Sequence, residues 1–243
     1  MERQSPAHDG EEYAHYLFVD DLLTLQRPLT EGAHDELLFI VVHQSYELWF
    51  KLLLHELRAA VASLEGGGAV AALAPLERVR RVDDLLLHHL DVLETLTPDG
   101  FLQFRDPLTP ASGFQSVQFR ELERIGGGTA EGDLWPSYCA AARAAGLDMP
   151  PPDQPATAER RLATLVDLYR EHAEPARGTL HRVAELLLDH DERLSVWRFR
   201  HALMAEREIG SRTGTGGSPG VGYLRSTVDS RLMPELWQVR SLL

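Results

Sequence analysis

The chain has 243 residues, 44% hydrophobic and 25% charged, with a formal net charge of −13, a composition that suits a globular protein with a full core. Such acidity excludes the basic face that nucleic acid or an anionic membrane requires, so neither is expected as a partner. One cysteine, Cys139, excludes an internal disulfide framework, a cysteine-based zinc module and a CxxCH haem attachment. The opening residues, MERQSPAHDGEEYAHY, hold no apolar signal region, and no later run reads as long and charge-free enough to span a bilayer, which predicts a cytoplasmic protein.

Residues 13–26, YAHYLFVDDLLTLQ, predict a short amphipathic helix with Tyr13, Tyr16 and Leu17 on one side. A long helix is expected over 35–64. Its polar face carries Gln44, Glu47, Lys51, His55 and Arg58, with Glu47 spaced to pair with Lys51. Its apolar stripe runs through Phe39, His43, Tyr46, Phe50, Leu53 and Leu57, and His43 is the only strongly polar member. Gly66, Gly67 and Gly68 end this element. A third helix follows over 75–96, with Val79, Val82, Leu86, Leu90 and Leu93 inward and His88 and His89 as surface or packing residues.

Residues 101–116 read as irregular, aromatic and interrupted by proline. Arg105 carries a permanent charge there among Phe101, Phe104 and Phe114, a setting suited to a partly enclosed anion site. Between 126 and 158 glycine, alanine and proline accumulate, and the stretch reads as a loop or linker. Helical pattern resumes at Ala158 and breaks near Pro175. Beyond that break Leu180, Val183, Leu187, His190, Leu194, Trp197, His201 and Met204 recur at spacings of three and four, along one helix side. Two imidazoles thus interrupt an apolar stripe. A buried imidazole needs a hydrogen-bond partner, a metal or a cofactor iron, because leaving it unpaired is costly.

The glycine-dense loop over 210–220 lacks the lysine of GxxxxGK[ST] and the strand that precedes GxGxxG, so it reads as a segment that orders over a ligand, with Thr213 and Thr215 as candidate donors. No sustained period-2 segment and no internal repeat occur. The fold class is all-α, a bundle of long helices forming one domain over 1–243. Two histidines on different helices, an arginine beside aromatic rings and a glycine-rich threonine loop fit a flat apolar cofactor with one axial ligand, which is what haem is. HExxH for zinc hydrolysis and paired Glu-x-x-His motifs for a di-iron bundle are absent, and Cys139 in alanine-rich surroundings is a poor thiolate ligand.

The runs HQSYELWFK from His43, FR at Phe104 and Arg105, SGFQS from Ser112, WRFRH from Trp197 and GTGGS from Gly214 resemble, in their order, the tryptophan 2,3-dioxygenase family. The resemblance implies an all-α fold, noncovalent haem b, a homotetramer, and insertion of both atoms of O2 across the indole C2–C3 bond of L-tryptophan to give N-formyl-L-kynurenine. It makes His201 the iron ligand, Trp197 its neighbour at the haem, His43 the distal histidine at the indole N–H, and Arg105 the grip on the substrate carboxylate. It makes Thr215 the contact to the amino-acid end and Phe39 and Phe101 walls of the indole pocket, and it puts Ile40, Val41, Val42 and Ser112 beside the substrate as well. Tyr13, Tyr16 and Leu17 resemble the segment that reaches into a neighbouring subunit's pocket. Two features depart from the pattern: the interval between SGFQS and WRFRH is short, and Val42 stands where relatives commonly carry a polar residue. They leave open an offshoot that adds one or two oxygen atoms to a substituted tryptophan. A haem- or indole-binding protein without turnover is a separate reading, and the intact His43 and Arg105 count against it.

Overall fold

The structure, a computed structural model, describes residues 9–128, 130, 132–217 and 220–243, with the side chains at 9–11 and 114 left out. Phe114, Ser218 and Pro219, singled out by their motifs, therefore lie outside the described side chains. The expected first helix is two pieces, α1 (Asp9–Leu17) and the single turn α2 (Val19–Leu22). Phe18 between them has φ 52°, a left-handed conformation in which a helix cannot continue. α1 packs chiefly on α2 and leaves Tyr13, Tyr16 and Leu17 exposed.

The core is built on α3 (Glu36–Glu65), α4 (Ala69–Leu93) and α9 (Pro175–Ile209), with α4 lying between the other two. The buried Glu36 carboxylate fixes the entry of α3, accepting from the Leu29 and Thr30 amides at 2.7 and 2.8 Å. Leu53, Leu57 and Leu64 of α3 are almost wholly buried, and each contributes about 1.5–3 kcal/mol by leaving water. α3 reverses into α4 at Gly67, whose φ of +75° suits glycine. α4 starts upstream of the expected position, because the alanine-rich run before Pro75 is already helical. On the polar side of α3, the Glu47 carboxylate takes the Gln118 side-chain amide at 2.7 Å instead of the expected Lys51. By length and composition α3 is apolar enough to cross a membrane, contrary to the sequence expectation. It packs against α4 and, through its buried residues, belongs to the hydrophobic core.

Two segments expected to be irregular are helical. α5 (Pro98–Leu108) tolerates its prolines because Pro98 occupies the first turn, where no intrahelical N–H is needed, and Pro107 stands at the other end. Thr97 caps it, accepting from the Gly100 amide at 3.1 Å. α6 (Val117–Gly127) begins with the Ser116 hydroxyl accepting from the Phe119 amide. Within 126–158, expected as loop or linker, α7 (Leu134–Ala144) packs on α3 and buries Leu134, Tyr138 and Cys139 completely. Alanine favours helix, and the Leu134–Tyr138 spacing of one turn supplies the inward face.

α8 (Ala158–Arg170) leads to α9, which ends at Gly210 with φ 58°. α10 (Val221–Thr227) then packs on α9, and α11 (Pro234–Val239) on α8. The wholly buried Asp191 holds this return in place. Its carboxylate accepts from the Leu232 and Met233 amides at 3.0 Å each and from Trp237 Nε1 at 2.9 Å.

Candidate active site

α3 contributes Phe39 and His43 to one wall of a cavity of about 620 Å³, and α9 contributes Trp197 and His201 to another. α5 adds Phe101 and Arg105, while Ser112 and Thr215 bring in the flanking loops. Helical spacing explains the first two pairs, since positions four apart share a face. It also explains what is left out. Ile40, Val41 and Val42, expected beside substrate, are not among the residues that line this cavity: Val42 is buried in the core and Val41 is exposed. Tyr13, Tyr16 and Leu17 do not line the chain's own cavity either.

The two cavity imidazoles are electrically quiet. Burial pushes the His43 pKa down, against a backbone hydrogen bond and the Glu47 charge. His43 Nδ1 lies 2.7 Å from the Phe39 carbonyl, which can only accept, so Nδ1 carries the proton and Nε2 is left with a bare lone pair. Burial lowers the His201 pKa to about 4, with His43 adding to the effect. His201 is therefore neutral near pH 7, the form that ligates a metal. Its ring lies 4.9 Å from that of Trp197 at an interplanar angle of 16°. His190, on the same stripe, has a different fate. It is buried in the core with Nδ1 2.7 Å from Asp83 Oδ2.

Arg105 is held at the cavity edge by the glycine loop. Its Nη2 donates to the Thr213 carbonyl at 2.7 Å, and its buried Nε has no partner. A permanent cation with a spare, desolvated donor suits a carboxylate. The Thr215 hydroxyl donates to the Ala111 carbonyl at 2.7 Å. Its hydrogen is thus committed, and the expected donor can only accept. Gly216 sits so close to Ser112 that a Cβ there would meet the serine Cβ at 2.5 Å. Tyr46 and Phe119 also line the cavity, although Tyr46 read only as packing. The signal was their place inside the HQSYELWFK run and one turn past SGFQS.

The chain matches the family model described as Tryptophan 2,3-dioxygenase over residues 2–133 and 156–243. A protein named tryptophan 2,3-dioxygenase from Anaeromyxobacter sp. (strain K) is 43% identical, with 95% of this chain and 96% of that protein covered. One of the same name from Nocardioides sp. is 41% identical over 94% and 93%, and one from Bacillus cereus 38% identical over 95% and 92%. The chain belongs to the tryptophan 2,3-dioxygenase family. It is an enzyme of that family, and its all-helical architecture is as expected. The interval outside the family-model match, 134–155, contains α7, which packs on α3 and contributes no residue to the cavity wall. Members of this family generally depend on haem, and the residues present fit one. The cavity is predominantly apolar, with aromatic and aliphatic side chains and a neutral imidazole in its wall, and it also carries charged residues such as Arg105, Arg120, Glu123 and Glu208. Cys139 offers no alternative, because burial raises its thiol to about 12.

Proposed function

We propose that this enzyme cleaves the indole C2–C3 bond of L-tryptophan with O2, giving N-formyl-L-kynurenine, with haem b held on His201. The observation that carries this reading is the placement of two neutral imidazoles on opposite helices of one apolar cavity, with an unspent arginine donor at its edge. When bound, the haem supplies the oxygen chemistry, which the protein side chains cannot. His201 offers the iron a lone pair, and Trp197 keeps water from that imidazole.

His43 Nε2 accepts the indole N–H, which sets the ring's position and can hold that proton as the ring opens. Arg105 takes the substrate carboxylate with donors that Thr213 leaves free, and the Thr215 oxygen accepts from the ammonium group. Phe39 and Phe101, 5.9 Å apart, wall the indole. The glycine loop excludes water at the amino-acid end. Tyr13, Tyr16 and Leu17 stand exposed on α1, which suits a homotetramer in which they complete a neighbour's pocket.

The test is the product mass after haem-loaded, reduced protein meets L-tryptophan and O2. Gain of two oxygen atoms is expected. Gain of one atom overturns the dioxygenation step and indicates monooxygenation instead. Bound tryptophan without O2 consumption indicates a binding protein. No binding of tryptophan overturns the substrate and directs the same assay to methylated and hydroxylated tryptophans.

A further inference from the structure

The histidines of the long helices are held in different ways. His43 and His88 each bond back to the carbonyl four residues earlier at 2.7 Å, and His190 bonds to Asp83. His201 has no hydrogen bond to any described residue, although a metal-ligating imidazole is ordinarily oriented by one from its other nitrogen. Its ring instead stacks on the near-parallel Trp197 indole, one turn back on α9. That indole is fixed in turn. Trp197 Nε1 donates to the Tyr46 hydroxyl at 3.2 Å, and Tyr46 donates to the Leu86 carbonyl of α4 at 2.8 Å. Tyr46 is 6% exposed and meets Trp197 edge-on, with ring centroids 6.0 Å apart. Burial pushes its hydroxyl up to about 12, so it remains a neutral donor throughout the working range.

We infer that Tyr46 is a positioning residue for the iron ligand: by tying the Trp197 indole to the Leu86 carbonyl, it sets the plane in which His201 presents its lone pair. The device replaces the missing hydrogen bond with a stacked ring. Tyr46 also lies three residues from His43 on α3, so one helix carries the distal histidine and the anchor of the proximal one. This inference rests on the proposed role of His201 as haem ligand.

The test is Tyr46→Phe, which removes one oxygen and keeps the ring. In haem-loaded, ferrous protein without substrate, the iron–histidine stretching band is expected to broaden and shift, and haem transfer to apomyoglobin to speed up about three- to tenfold, the scale of one hydrogen bond. Trp197→Phe keeps a stacked ring but loses the N–H, and is expected to reproduce both changes. The double variant is expected to be no worse than the single ones, because both cut the same link. An unchanged band and haem-release rate in Tyr46→Phe, or additive effects in the double variant, overturn the inference. If Tyr46→Phe does not fold, Trp197→Phe decides alone by the same two readouts. A wild type that binds haem without an iron–histidine band overturns the ligand assignment itself, which is a different failure.

Discussion

At His190, α9 faces Asp83 of α4 inside a closed core; about three turns further on, at His201, the same face of the same helix looks into a cavity. Burial opposes a charge at both. At His190 the attraction of Asp83 and Asp191 outweighs that opposition, although Arg198 pulls the other way, and the pKa is raised. At His201 no carboxylate compensates, and the pKa falls to about 4. The difference shows how one apolar stripe separates a structural imidazole from a functional one. A buried partner makes the first a fixed part of the core, and its absence leaves the second's lone pair for a ligand.

Exchanging these environments has the largest expected effect. His201→Ala is expected to lose haem retention altogether, measured as Soret absorbance remaining after gel filtration. His190→Gln is expected to retain haem, because its ring does not line the cavity. If the two variants lost haem equally, the division between the halves of α9 would be wrong.

The closed half is probed through its partner. Asp83→Ala leaves a buried imidazole unpaired and is expected to cost about 3 kcal/mol in urea unfolding of the apoprotein. The sign of the pH dependence follows from the raised folded pKa of His190. The pair's contribution is fully present below the unfolded value of about 6.5 and is lost as pH rises through the higher folded value. Wild-type stability is therefore expected to decline across that alkaline window by a component that Asp83→Asn lacks. Parallel pH profiles for the two proteins would rule out a charged His190.

Periodicity made the long helices legible, since their inward residues repeat at three and four. It could not separate His190 from His201, because both fit the same stripe and Asp83 lies on another helix, far away in sequence. His43 and His201 stood out as imidazoles in apolar stripes, Arg105 by its aromatic neighbours and Thr215 by its glycine-rich loop, but only motif order assigned them roles. α7 was hidden by composition, although Leu134 and Tyr138 one turn apart already marked an inward face. α5 was hidden by its prolines, which sit where helices tolerate them. The hold of Thr213 on Arg105 spans the sequence from α5 to the glycine loop and has no local signature.

At the mouth of the open half, Arg105→Ala is expected to raise KM for L-tryptophan about ten- to hundredfold, the scale of a lost charged hydrogen bond, with haem retained. Arg105→Lys keeps the charge without the fork and is expected to recover only part of the loss. Equal KM values for wild type and Arg105→Ala would remove the carboxylate from this end of the cavity.

The smallest expected effect concerns the closeness of the loop itself. A methyl at Gly216 would press on the Ser112 Cβ at 2.5 Å, a contact that neither atom can turn away from. Gly216→Ala therefore has to push the glycine loop away from Ser112, carrying Thr215 from the Ala111 carbonyl and Thr213 from Arg105. Overpacking of this size costs about 1–3 kcal/mol, part of which relaxation of the loop absorbs. A rise in KM of about three- to tenfold is expected, with little change in thermal stability, because the loop lies outside the buried core. Ser112→Gly removes the opposing carbon, so measured against the Ser112→Gly single variant the added Gly216→Ala change is expected to cost almost nothing. If it costs as much as in the wild type, the loop is not seated by this contact, and the hydrogen bonds of Thr213 and Thr215 alone close the cavity.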